Sequence, residues 1–147
     1  MADIARNRQA AYKYNFLEKW EAGLQLQGSE VKSLRNGGVQ LKDAFATVRG
    51  GEVWLHNMHI APYAPASREN HEPERERKLL LHKGEIERLI GRTAEKGLTL
   101  IPTRLYWKNG RAKVEIALAR GKNVQDKRRY LKEKDARREI QQALQDR

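Results

Sequence analysis

Six consecutive residues, Glu30-Val31-Lys32-Ser33-Leu34-Arg35, set one carboxylate beside two cations in a segment that reads as helical. Val31 and Leu34, three apart, would turn toward a core and leave Glu30, Lys32 and Arg35 on or near the outward side. Such a trio suits recognition of unpaired RNA. The cations can hold phosphates, while the carboxylate repels phosphate but accepts from the N1–H and N2–H edge of a guanine. The same residues admit a plainer use, a first-turn glutamate stabilised by the helix dipole beside solvated Lys and Arg. A second basic stretch, Arg75-Glu76-Arg77-Lys78, precedes Leu79-Leu80-Leu81. It reads either as an edge touching phosphate or as a solvated approach to a buried strand.

Bond-making chemistry finds little to work with. His56, His59 and His71 form the one histidine cluster. On a strand His56 and His59 would face opposite sides, because three residues is an odd spacing. No HExxH, paired acidic motif or phosphate loop accompanies them. The chain has no cysteine, which excludes disulfides, Cys-ligated zinc and thiol nucleophiles. The histidines read as surface or RNA-contacting groups, and a metal-dependent nuclease is the weaker alternative. No catalytic residue, metal or cofactor is expected, so the chain reads as a binding protein and not as an enzyme.

The elements that must carry these residues divide unequally. The chain has 147 residues and a formal net charge of +11. Residues 120–147 hold ten Lys or Arg against five Asp or Glu, leaving 20 against 14 for residues 1–119. A field of this sign attracts nucleic acid, anionic membrane or acidic protein. Membrane is the weakest of the three, since no apolar run approaches the roughly 20 residues of a span. The N-terminus also lacks a secretory apolar stretch, so a cytoplasmic protein is expected.

Residues 1–119 are patterned as one β-rich body. Residues 1–13 read as a flexible polar arm, and Phe16, Trp20, Leu24 and Leu26 as strand, with a turn or bulge at Glu21-Ala22-Gly23. Gly28-Ser29 offers an N-cap for a helix over 30–35 that Asn36-Gly37-Gly38 stops. Gly50-Gly51 and Asn109-Gly110 each join two alternating runs, the signature of tight hairpins. Between them lie a charged loop, 65–78, and a helix with Ile86, Leu89, Ile90 and Ala94 as its apolar face, closed by Gly97. About six short strands and two or three helices suggest a small antiparallel barrel of the oligonucleotide-binding type, or else an open sheet with a packed helix.

Residues 120–147 are too poor in apolar positions to anchor on a core. On a helix Lys127, Lys134 and Arg138 fall on one basic stripe, while Leu131, Ala136, Ile140 and Leu144 make only a broken apolar one. The expectation is a tail disordered when free that becomes helical along a charged wall.

Taken together the chain resembles the small protein B (SmpB) family, the SsrA or transfer-messenger-RNA-binding proteins of bacterial trans-translation. The resemblance rests on Asn7-Arg8, Glu21-Ala22-Gly23, Gly28 through Arg35, His59-Ile60-Ala61-Pro62-Tyr63 and Arg75-x-Arg77-Lys78-Leu79-Leu80-Leu81. It continues through Gly97-Leu98-Thr99-Leu100-Ile101-Pro102, Lys113-Val114, Gly121-Lys122 and Asp126-Lys127-Arg128. Each piece is short, but their order and spacing are specific.

The resemblance implies an oligonucleotide-binding-type barrel that clasps the tRNA-like domain of transfer-messenger RNA and accompanies it to stalled ribosomes. There the tail would become helical in the empty messenger channel near the small-subunit decoding region. By motif it carries an RNA-facing role to Asn7, Arg8, Glu30, Lys32, Arg35, Arg75, Arg77 and Lys78. It carries a ribosome-facing role to Lys122, Asp126, Lys127 and Arg128. Many members hold a histidine or tyrosine just before the Asp-Lys-Arg triplet; here Gln125 stands there, able to hydrogen-bond but not to stack as a ring. The free protein is expected to be a monomer. The alternative function is a general RNA-binding or RNA-chaperone module.

Overall fold

A computed structural model describes residues 2–63, 70–95, 97–122 and 124–145, with side chains for 3–63, 70–95, 97–122 and 127–138. The chain opens with strand β1 (Ala2–Arg6), a single helical turn α1 (Ala10–Lys13) and the long strand β2 (Tyr14–Leu24). Helix α2 (Gly28–Arg35) and the short β3 (Val39–Gln40) lead to the hairpin of β4 (Phe45–Arg49) and β5 (Glu52–His56). Next come β6 (His59–Ile60), β7 (Arg77–Leu80) and helix α3 (Lys83–Thr93). A second hairpin, β8 (Leu98–Lys108) and β9 (Arg111–Gly121), precedes the terminal helix α4 (Val124–Gln145).

The strands pair antiparallel in the order β8-β4-β5-β7-β2-β9, and β9 pairs back with β8, so six strands close into a barrel. Closure leaves no open sheet edge around the ring. The two hairpin turns are where their sequences put them. Gly50 and Gly51 have φ of 60° and 74°, Asn109 and Gly110 of 53° and 75°. Positive φ at both central residues is what matches the turn to the twist of its strands. Val114, Ile116 and Leu118 point inward as their alternation predicts, and join Val53, Leu55, Leu79, Leu100 and Leu105 in the core. Leu34 of α2 and Leu89 of α3 belong to the same cluster.

Several local readings give way to tertiary pairing. The N-terminal arm is not loose: β1 pairs with the half of β8 that β4 leaves free, around Arg104 to Trp107, while β4 meets β8 at Leu100. Its charges are those of an edge strand. Glu21-Ala22-Gly23 is no turn, because β9 pairs with all three residues through Glu115, Val114 and Lys113. The irregularity in β2 sits at Phe16/Glu18 instead. In α3 only Ile86 and Leu89 turn inward; Ile90 and Ala94 are exposed. Leu80, expected in a buried strand, is half exposed. Strand β9 runs past residue 119 to Gly121, where it pairs with Tyr14, and the Lys122 N–H then donates to the Lys13 carbonyl at 2.8 Å.

The tail is one helix, α4. Residues 131–138 are exposed on every side. Its base meets the body: the Tyr130 ring lies 6.3 Å from that of Tyr12 in α1, and the Lys127 ammonium sits over Tyr12.

Candidate nucleic-acid interface

Glu30, expected to face outward and read a base, is fully buried. Its Oε1 accepts from the Gln27 N–H at 2.8 Å and from Arg75 Nη2, and its Oε2 from Arg77 Nε. Arg77 is equally buried, and its remaining donors reach the carbonyls of Met58 and Pro73. Gln27, rather than Gly28-Ser29, is therefore the N-cap of α2. Burial pushes the Glu30 carboxyl up, but the hydrogen bonds from Arg75, the Gln27 amide and Arg77 outweigh it and hold the group below its ordinary 4.5. Burial likewise draws Arg77 below 12.5, opposed by Glu30; a guanidinium stays cationic there at neutral pH.

This overturns the RNA-facing placement of Glu30 and Arg77, for a physical reason. The inward face of α2 is Ser29, Glu30, Ser33 and Leu34, while Val31 is only partly buried. A carboxylate can take the inward side only because two arginines meet it there with full hydrogen bonding. Arg75, a quarter exposed, spends donors on Glu30, Glu76 and Gln25, and Lys78 pairs with Glu52 at 2.9 Å. Arg75 and Arg77 of this edge thus clamp Glu30, while the Lys78–Glu52 pair is partly exposed.

The outward face of α2 keeps Lys32 and Arg35, both exposed. The helix is pinned by Ser33, whose hydroxyl donates to the Ala61 carbonyl at 2.6 Å, and by Ser29, hydrogen-bonded to buried His71 at 2.9 Å. Gly38 lets this junction close, since a Cβ there would fall 2.9 Å from the Ser33 hydroxyl. The Lys32 ammonium lies over the Tyr63 ring at 5.6 Å. Asn70 grips Tyr63 on both sides, accepting from its N–H and donating to its carbonyl. An aromatic ring on a pinned backbone, beside a cation with no carboxylate partner, can stack on a base and hold its phosphate.

On the N-terminal side Arg8 is exposed, whereas Asn7 is committed: its side-chain amide donates to the Pro102 carbonyl at 3.1 Å. Lys42, which the sequence reading missed, shares a recess of about 290 Å³ with Arg8. Most other cations of the body are paired, as Arg49 is with Glu76, Arg88 with Glu18 and Lys108 with Glu21. Among the described residues of the body, Arg8, Lys32, Arg35, Lys42, Lys83, Arg111 and Lys113 face no carboxylate within ion-pair distance, which leaves their charge available.

The histidines do not converge. His56 hydrogen-bonds to Thr47 at 2.7 Å, His59 approaches Glu74, and His71 bridges Ser29 and the Ile60 carbonyl. Asn57, with φ of 63°, breaks the strand between the first two. In the tail the Lys122 ammonium donates to the Ala11 carbonyl at 2.7 Å and covers the Tyr130 ring. Lys127 leans on Tyr12, and Arg128 is exposed. The side chains of Gln125, Asp126, Ile140 and Leu144 lie outside the described residues, as does part of the 65–78 loop. Tyr12, Tyr63 and Tyr130 were not legible as site residues, because each gains its partner only through the fold.

The family description "SmpB protein" matches residues 4–146. The SsrA-binding protein of Carboxydothermus hydrogenoformans is 57% identical over 141 residues, covering 96% of this chain and 95% of that one. The SsrA-binding protein of Bacillus cytotoxicus is 58% identical over 144 residues, covering 98% and 93%. A solved structure described as "tmRNA-SmpB: a journey to the center of the bacterial ribosome" superposes with a TM-score of 0.70 at 49% identity, covering 84% of this chain and 87% of that one. With its barrel, its unpaired cations and its tail all inside the matched span, the chain belongs to the SmpB family.

Proposed function

We propose that this chain binds the tRNA-like domain of transfer-messenger RNA and delivers it to stalled bacterial ribosomes for trans-translation. The observation that carries the reading is the end-to-end family match, supported by relatives named SsrA-binding proteins and by the tmRNA-SmpB structure. The barrel is the grip: Lys32, Arg35 and Arg8 contact phosphate, with Tyr63 beside Lys32. Glu30 and Arg77 act from inside by holding α2 in place. The tail is the sensor. Its exposed helix seeks a charged wall, with Lys127 and Arg128 toward the ribosome, and an occupied messenger channel leaves it no room. Ordering a chain costs about 1–2 kcal/mol per residue of backbone, so the tail's order is conditional on contacts made there. The protein makes and breaks no bonds; it is a cytoplasmic, monomeric adaptor.

The test is a pair of titrations at matched salt, one against the tRNA-like domain and one against an unstructured strand of equal length, followed by peptide tagging on stalled ribosomes. Preference for the folded RNA together with tagging supports the adaptor. Equal affinity for both RNAs without tagging overturns it in favour of a general RNA-binding module.

A further inference from the structure

Beside α2, toward the β8–β9 hairpin tip, lies a cleft of about 470 Å³ whose walls include Leu26, Val31, Leu80, Trp107, Arg111 and Lys113. Its size is that of pockets which enclose small ligands, roughly 300–1,000 Å³. The floor is made by an absence. Gly23 is the strand partner of Leu80 on β7 and of Lys113 on β9. A Cβ at position 23 would come within 3.2 Å of Leu80 Cβ and 3.6 Å of the Lys113 ammonium. The backbone there does not have positive φ, so space, not conformation, is what the glycine supplies.

The walls combine two chemistries. Leu80 is half exposed, a large apolar side chain turned to water in a strand whose neighbour Leu79 is fully buried. Trp107 packs part of its indole on the core and leaves part to the cleft. Arg111 and Lys113 have no ion-pair partner among the described residues. The nearby Glu21 is taken by Lys108 at 3.1 Å and by the Tyr106 hydroxyl. Among the described residues no acidic one lines the cleft. An occupant therefore needs a flat apolar part and an anionic attachment, and a nucleotide has both.

We propose that this cleft receives one unpaired base of the bound RNA, packed against Trp107 and Leu80, with Arg111 and Lys113 on the adjoining phosphates. The proposal rests on the RNA-binding function above and extends it to a subsite. Val31 lines the cleft and exposed Lys32 stands on the same turn of α2, so the two surfaces share that helix. Because every base has an apolar face, the subsite reads an extruded base by its being unstacked, with little preference among the four.

The experiment measures affinity of the full chain for the tRNA-like domain across a salt series, for the unsubstituted protein and for Trp107→Leu, Leu80→Asp and Arg111→Ala. Trp107→Leu keeps apolar bulk but loses the ring, and is expected to weaken binding roughly 5- to 140-fold, the loss of one stacked base, with the salt slope unchanged. Leu80→Asp, at a half-exposed position that spares the core, should weaken binding even where Trp107→Leu folds poorly. Arg111→Ala should flatten the salt slope by about 0.7–0.9. Photocrosslinking of the unsubstituted complex should attach RNA to the peptide spanning 106–113. Failure of the unsubstituted protein to bind the RNA sinks the function and the subsite together. Normal binding by all three variants, with no crosslink, overturns the subsite alone. Unchanged RNA affinity with weaker ribosome association would assign the cleft to a protein surface, and also overturns it.

Discussion

Glu30 and Arg77, 47 residues apart in the chain, meet as a fully buried ion pair that fastens α2 to strand β7. Arg75 closes the other side of the same carboxylate. The pair decides which face of α2 looks inward, and hence that Lys32 and Arg35 look outward.

Removing one member strands the other. Glu30→Gln leaves Arg77 cationic and buried without a counter-charge, and should cost about 3–5 kcal/mol in urea unfolding. Glu30→Gln combined with Arg77→Met should recover part of that loss, since an apolar pair has no charge to desolvate. Additive losses in the double variant would show that the two residues do not act as a unit.

The same pair predicts acid sensitivity. Glu30 is held below its ordinary 4.5, so its contribution is fully present above that value and is lost as pH falls through the folded-state pKa. The urea midpoint should decline as pH drops below the ordinary carboxylate range, and Glu30→Gln should flatten that decline. Asp3, Glu21 and Glu76 are also lowered, but as solvent-screened surface groups they should leave only a small residual slope.

Exposed cations should behave differently from the buried clamp. Arg8→Ala, Lys32→Ala and Arg35→Ala should each change stability by no more than about 0.5 kcal/mol. Each should reduce the salt slope of RNA binding by roughly 0.7–0.9. An unchanged slope in all three would move the RNA interface to another face of the barrel.

The body and the tail should separate just beyond Lys122. A chain ending at Lys122 keeps the whole β2–β9 ladder and the Lys122 amide bond to Lys13. It should fold, bind the tRNA-like domain with most of its affinity, and fail to support tagging. A chain ending at Ala119 loses the pairing at Tyr14 and Asn15 and should be less stable. Replacing Asp126, Lys127 and Arg128 together by Ala changes the net charge by only −1, so a large tagging defect with near-normal RNA affinity would report specific ribosomal contacts. Tagging that survives truncation would refute the division into grip and sensor.

Amide exchange tests the tail directly. Residues 131–138 are exposed on every side, so their amides in the free chain should exchange near the unprotected rate and become protected on the ribosome. Strong protection in the free monomer would contradict a sensor that orders only in the channel.

The two hairpins, the existence of α2 and α3 and the inward alternation of β9 were all legible in the sequence. Each depends on interactions between near neighbours: Asn109-Gly110 closes its turn whatever surrounds it. The face of α2, the pairing of β1 and the continuity of β2 through Gly23 were decided by tertiary structure. Spacings of three and four around residue 30 fit two faces of one helix, and the choice falls to Arg75 and Arg77, 45 and 47 residues away. β2 stays straight at Gly23 because β9 supplies hydrogen bonds that a local turn signal cannot anticipate. Local sequence specifies what a segment can become, and the groups packed opposite it decide which side is buried, because only they can satisfy or strand a charge removed from water.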